Sequence, residues 1–398
     1  SFENCRNAEP HGHGMQMQAQ SSRQGTMIAA TLATTIYILL TIASLLSAIS
    51  PLLSTLSSHG KTRISNHEYK NNTHHAGGGI LRKLQHFLLT SDGLAVNKRR
   101  FIDFYAAGII ATLLLVHATI SSDPYATIRN NHWRSEFFIH QWLPTFLLLL
   151  HLIRRYCECK WIQKSEKSSQ MHLAGYLLGI LHYLCLPFVL VPLPYLACTN
   201  NDDNGIPPSV DVDSSEIESN RVCDPSSPFS LIQYTSMEKL VDIIAMIGCI
   251  YFQYEQHRHH VILANLRTTK FKTAYSIPIG GWFEYVSCPH YFSEIMIYFM
   301  FSVLLNNTPF IAGENDAKAW IDQWNYHLDI STSSWLPIIS RGNCIAIMSA
   351  IYRSKHWILW AWVVTNLSIS AIRSHDWYLN NYRAAYPQQR KRLIPFVW

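Results

Sequence analysis

Charge is scarce in this 398-residue chain: Asp, Glu, Lys and Arg together make up 15% of it, against 48% hydrophobic residues. Soluble domains usually carry about 25% charged residues, so the shortage argues against an ordinary water-soluble fold. The mean hydropathy of +0.03 hides this, because polar and apolar residues are segregated along the chain. Charged residues are absent altogether from Met27 to Ser50 and from Leu173 to Cys198. At about 1.5 Å per residue, each stretch can cross roughly 30 Å of hydrocarbon. Also missing are a G-x-G-x-x-G fingerprint and a P-loop, which excludes a Rossmann domain and a Walker ATPase. The nine cysteines are scattered and odd in number, which argues against a full disulfide framework. Cys157 and Cys159 are too close together for a tetrahedral zinc knuckle without other partners, and they read as reduced thiols.

What is present is a series of apolar runs. Beyond the two charge-free stretches they fall at Phe104 to Ile120, Phe137 to Ile153, Ile243 to Tyr254, Ile295 to Ile311 and Trp357 to Ile372. The expectation is an all-α, polytopic transmembrane bundle of about seven spans, the fifth being the weakest because its run is short and Asp242 lies at its edge. Residues 1–26 and 57–79 are rich in Gln, Ser, Asn, His and Gly and read as disordered, since they cannot bury enough apolar area to offset ordering entropy.

Basic residues set the expected orientation. Arg82, Lys83 and Lys98 to Arg100 precede the second span, Arg154, Arg155 and Lys160 follow the third, and Arg258, Arg267 and Lys270 follow the fifth. By the positive-inside rule these segments, including the polar loop 57–100, face the cytosol, as does the C-terminal tail. The loop 199–237, where seven acidic residues face the single Arg221, belongs on the luminal side. The formal net charge of +6 is then mostly a topology signal, and a nucleic-acid partner has little support.

Three C-terminal stretches carry a family likeness: "HHVILANLR" at 259–267, "YSIPIGGWFEYVSCPHYFSE" at 275–294 and "SHDWYLNNYRAAYPQQRKRLIPFVW" at 374–398. They resemble the steroid 5α-reductase family. With "LHLIRRYCEC" at 150–159 and "MHLAGYLLGILHY" at 171–183, the match is to its polyprenol reductase branch. The resemblance covers most of residues 146–398 and breaks at 306–355, which looks like a luminal insertion. It implies a membrane-embedded reductase domain over 27–398, with a cofactor-binding part at 256–398. The implied enzyme sits in the endoplasmic reticulum membrane and uses NADPH to saturate the α-isoprene double bond of a polyprenal or polyprenol on the way to dolichol, which carries the glycan for protein N-glycosylation.

The chemistry agrees with that. Hydride adds to the β-carbon of an enal when the carbonyl oxygen is polarised by a donor in a water-poor site, whereas an unactivated alkene resists. The aldehyde is therefore the expected immediate substrate, with its isoprenoid tail left in lipid. By resemblance, Asn265, Arg267, Tyr275, His290, Glu294, His375, Tyr378 and Arg390 contact NADPH. Arg267 and Arg390 are the best phosphate partners, since a planar guanidinium can meet phosphate oxygens bidentately. Glu294 follows His290 by four residues, so on a helix the two share a face. The steroid-reducing members carry a tyrosine after the histidine matching His151, and here that position is Leu152. That departure counts against a steroid substrate and leaves the carbonyl donor open among His290, Tyr291 and Glu284.

Other readings explain less. A 3-oxo-steroid or other enone reductase would keep the chemistry and change the substrate. A seven-span receptor or transporter would account for the span count and for no motif. A di-iron enzyme would need several histidine boxes where this chain has only "HRHH" at 257–260. A methyltransferase of the isoprenylcysteine type would bind S-adenosylmethionine in place of NADPH.

Overall fold

The computed structural model describes residues 29–47, 95–121, 135–163, 169–191, 236–266, 276–306, 350–351 and 354–397. The expectations for residues 1–26 and 57–79, for the acidic loop and for almost all of the 306–355 insertion lie outside these residues, as do Arg267 and Tyr275.

Seven long helices dominate the described residues: α1 (Ala29–Ser47), α2 (Phe101–Ser121), α3 (Ser135–Cys157), α4 (Leu173–Leu190), α5 (Ser236–Leu266), α6 (Pro289–Asn306) and α7 (Lys355–Tyr382). Each coincides with one of the apolar runs. By length and apolarity alone, three segments among the described residues could cross a membrane: Ala29–Ser47, Lys98–Ser121 and Leu173–Leu190. The others mix apolar stretches with polar ends. α5, expected as the weak span, runs for 31 residues and carries its polar tract Gln253 to His260 on the same helix. Among the described residues there is also a two-stranded antiparallel strip, β1 (Ala95–Asn97) with β2 (Gln170–His172), pairing Ala95 with His172.

That strip fixes where two helices begin. The Asn97 side chain accepts from Arg99 N at 2.9 Å and opens the turn into α2, and His172 Nδ1 accepts from Ala174 N at 3.1 Å as the cap of α4. α2 and α4 then pack closely through aromatic side chains, Phe104 lying against Tyr176 and Tyr183 with centroids 5.4 and 6.1 Å apart. Gly179 makes this possible: a Cβ there would lie 2.5 Å from Phe104 Cζ. Because Phe104 is wedged among Phe101, Tyr176 and Tyr183, we expect Gly179→Ala to destabilise the bundle by about 1–3 kcal/mol. Thermal unfolding in detergent measures this, and adding Phe104→Leu should recover part of the loss.

The burial pattern is that of a membrane bundle. Leu32, Leu39, Ile110, Leu114, Phe146 and Ile247 point outward, while His151, Glu158, Gln256 and His259 are buried. Charged and imidazole groups face the interior of membrane bundles because lipid offers them no partners.

The C-terminal segment closes one end. After α7, Arg383 takes a positive φ of 46° and the chain folds back. Lys391 then bridges to Val286, with Lys391 N donating to Tyr285 O at 2.8 Å and Ser287 N donating to Lys391 O at 2.9 Å. The receiving segment turns on Gly280 and Gly281, with φ of 97° and 57°. Such values favour glycine, and a Cβ on Gly281 would also crowd His259 Nε2 at 3.3 Å.

Candidate functional site

The buried polar residues form two groups joined by the 278–288 segment. The first is built around Glu158, on a π-helical turn (Glu158–Ile162) that extends α3. That turn swings the carboxylate back under the bundle, where it is 1% exposed. It accepts from Arg154 and Arg155 of α3. His257 Nδ1 and His260 Nδ1 of α5 lie 2.8 and 2.7 Å from its two oxygens. Burial by itself would raise the Glu158 carboxyl, but the His260 hydrogen bond and the Arg155 charge outweigh it and hold it far below the usual carboxylate range.

From Glu158 the network runs inward. Arg155 donates to Tyr105 Oη through Nε at 3.1 Å and Nη2 at 2.8 Å. Arg154 donates to the Gln256 side-chain oxygen, and Gln256 in turn donates to the Glu294 carboxylate. Glu294 Oε1 lies 3.5 Å from His151 Nε2, and His151 Nδ1 lies 3.3 Å from Arg154 Nη2. Helices α3, α5 and α6 thus each supply part of one closed ring of charges. Such a ring is stable because each cation in it faces an acceptor or a carboxylate, since an isolated buried charge is very costly.

The second group lies where the C-terminus docks. His375 Nδ1 and Tyr386 Oη both lie 2.6 Å from Ser287 Oγ. Tyr378 stacks on Tyr386 at 5.2 Å, and the Arg390 guanidinium lies over the Tyr386 ring at 5.4 Å. Arg390 Nη1 donates to Pro278 O at 2.9 Å. Its Nε has no partner, and no carboxylate among the described residues pairs with it. A buried guanidinium left with spare donors suits a phosphate or pyrophosphate group. The donor set therefore fits a phosphate-bearing cofactor.

The expected site residues divide accordingly. His375, Tyr378 and Arg390 come together against the 278–288 segment. His290 borders the first group, its ring 5.6 Å from His260 and 6.2 Å from Phe283, and Tyr291 lies against it at 4.2 Å. Glu294 enters the ring through His151 and Gln256, a different pairing from the His290 contact that the four-residue spacing suggests. Glu284 is not brought in: it is exposed and accepts from Gly280 N at 2.6 Å, capping its own turn. Asn265 lies exposed near the end of α5.

Residue-level reading missed Arg154, Arg155, Glu158, Gln256 and His260. The two arginines, read as topology charges, are buried and paired, Arg155 being only 8% exposed. The usable signal was an acid enclosed by cations in "RRYCECK" facing a histidine tract on another helix. Leu152 is fully buried, and its side chain packs against Gly108 of α2. Cys157 and Cys159 form no disulfide among the described residues.

Comparison with known proteins finds a family match and several relatives. Residues 227–312 and 343–398 match the family described as 3-oxo-5-alpha-steroid 4-dehydrogenase. Over 340 residues the chain is 27% identical to polyprenal reductase 1 of Oryza sativa subsp. indica, covering 76% of this chain and 79% of that one. It is 26% identical over 342 residues to polyprenal reductase 2 of Arabidopsis thaliana, covering 78% and 84%. It is 24% identical over 268 residues to the polyprenal reductase of Mus musculus, covering 66% and 59%.

Proposed function

We propose that this chain, a member of the steroid 5α-reductase family and an oxidoreductase of carbon–carbon double bonds, reduces the α-isoprene double bond of a polyprenal with NADPH, in dolichol formation at the endoplasmic reticulum. The observation that carries the reading is a buried carboxylate–imidazole pair, Glu294 with His151, on one side of the 278–288 segment and the buried Arg390 guanidinium, with no carboxylate partner among the described residues, on the other.

When bound, a reduced nicotinamide supplies hydride, which the β-carbon of the enal takes. The chain's own residues do the rest. Arg390, over Tyr386 and tied to Pro278, offers its spare donors to a phosphate. His375 and Tyr386, held by Ser287, keep that wall rigid. The Glu294–His151 pair and Gln256 present oriented hydrogen-bonding groups where the two walls meet, and the outward apolar face leaves an isoprenoid tail in lipid. A water-poor interior raises the value of every such dipole, which is what enolate formation needs. We place the Glu158 end at the cytosolic rim, because the basic residues flank it.

The test is turnover by the detergent-purified chain with NADPH and, in parallel, polyprenal, polyprenol and an enone steroid. We expect polyprenal to turn over fastest, because its carbonyl activates the double bond. Equal or greater activity on the steroid assigns the chain to steroid reduction instead.

A further inference from the structure

Deep in the bundle, next to the His151 side of the ring described above, one histidine sits between two phenols. His182 is the one imidazole on α4, a helix with no Asp, Glu, Lys or Arg, and such a group in an apolar span is costly unless it has a task. Tyr37 of α1 places its Oη 3.0 Å from His182 Nδ1 and 2.9 Å from the His182 carbonyl oxygen. Tyr298 of α6 places its Oη 3.4 Å from His182 Nε2. Tyr183 and Trp362 close the surroundings, with ring centroids 4.7 and 4.5 Å from His182.

A neutral imidazole carries one ring proton, so this row has two settings. In the first, the Tyr37 hydroxyl donates to the His182 carbonyl, Nδ1–H donates to Tyr37, and Nε2 accepts from Tyr298. In the second, the Tyr37 hydroxyl turns to Nδ1, and the ring proton sits on Nε2 and is donated to Tyr298 Oη. The O–H of Tyr298 is then free for another acceptor. The two settings differ by the rotation of two hydroxyls, those of Tyr37 and Tyr298, and by one tautomer, with no movement of heavy atoms.

Tyr298 follows Glu294 by four residues, one helical turn, and so shares its face of α6. Its ring meets His151 edge-on at 6.3 Å. The freed O–H therefore lies beside the Glu294–His151 pair.

We propose that Tyr298 is the donor to the substrate carbonyl, with His182 and Tyr37 as positioning residues that release its O–H. The assignment rests on the enal reading above. As hydride adds to the β-carbon, the C=C π pair shifts to the α-carbon side and the carbonyl π pair moves onto oxygen. The developing enolate oxygen accepts from Tyr298 O–H, which keeps its proton. A solvent-derived proton then bonds to the α-carbon and the C=O re-forms.

The experiment measures kcat, KM and the NADPH dissociation constant for the purified full chain and for Tyr298→Phe, His182→Leu, His182→Gln and Tyr37→Phe, with polyprenal as substrate. Tyr298→Phe should lower kcat by about 100- to 1000-fold, the loss typical of one oxyanion donor, with NADPH affinity unchanged. His182→Leu should lower kcat in the same way, and His182→Gln, whose amide can still donate to Tyr298, should restore part of it. Tyr37→Phe should cost about tenfold, the scale of one neutral hydrogen bond. A purely structural row would lower folded yield and leave kcat alone. Tyr298→Phe with a kcat within about threefold of wild type overturns the proposal. If that variant does not fold, wild-type kcat in Tyr37→Phe and His182→Gln together overturns it. Failure of the enal reading shows differently, as no polyprenal turnover by the unaltered chain.

Discussion

Glu158→Gln should cause a collapse in folded, detergent-extractable protein, by about 3–5 kcal/mol. The carboxylate holds Arg154, Arg155, His257 and His260 together from within the bundle. A glutamine keeps the shape and removes the anion, leaving two guanidinium groups close together without their common counter-ion. A cation left without its partner in the interior is far more costly than the pair itself is stabilising. Glu158→Gln with Arg155→Gln should recover part of the loss, because one of the stranded charges goes with it. The same carboxylate should make the protein acid-labile. Its folded pKa is depressed below the ordinary value of 4.5, so its contribution is complete above that value and fades as pH falls below it. Thermal unfolding of wild type should therefore drop steeply on acidification, and the variant's curve should be flatter. Equal extraction yields and equal acid profiles would falsify the assignment of Glu158 as the organising charge.

Glu294→Gln should act on function, with folding largely spared. Glu294 is one turn into α6, and its partners Gln256 and His151 come from two other helices. An amide at 294 can still accept from Gln256, so the packing survives. The charge-assisted part of the interaction does not. Losing about 1.5–3 kcal/mol there corresponds to a fall of roughly 10- to 150-fold in kcat/KM. Because the pair lies between the inferred cofactor wall and the Tyr298 face, we expect the apparent KM for NADPH to rise and turnover to fall together. The variant should be extracted in wild-type yield. Poor yield with normal kinetics in the surviving protein would reverse the reading and make Glu294 a structural residue.

The contrast between these two acids shows what residue patterns could and could not convey. Glu294 stood out because it lies at the mouth of an apolar run, where a charge is costly, and within a family-like stretch. Glu158 sits among lysines, arginines and cysteines at the end of a helix, where an acid ordinarily faces water. Only the π turn brings it back beneath α5. Arg154 and Arg155 misled for the same reason: a basic residue after an apolar run reads as a topology signal whether its side chain points to solvent or into the bundle. Glu284 is the opposite case, since its neighbours resemble the family while its carboxylate accepts locally from Gly280 N.

The sequence by itself determined that this is a helical membrane protein, because charge-free stretches of span length have no other stable solution in water or lipid. It also carried the resemblance to the steroid 5α-reductase family, because "YSIPIGGWFEYVSCPHYFSE" and the C-terminal tract stand as linear strings. Tertiary structure alone decided which polar groups meet. The ring joins α3, α5 and α6 across sequence separations of about a hundred residues, Arg154 reaching Gln256 and His260 reaching Glu158. The interior row joins Tyr37 to His182 across 145 residues. Periodicity along one helix fixes which face a residue occupies. It carries no information about which face of a distant helix lies opposite, and that is set by how the aromatic and glycine contacts of α2, α4, α6 and α7 let the helices pack.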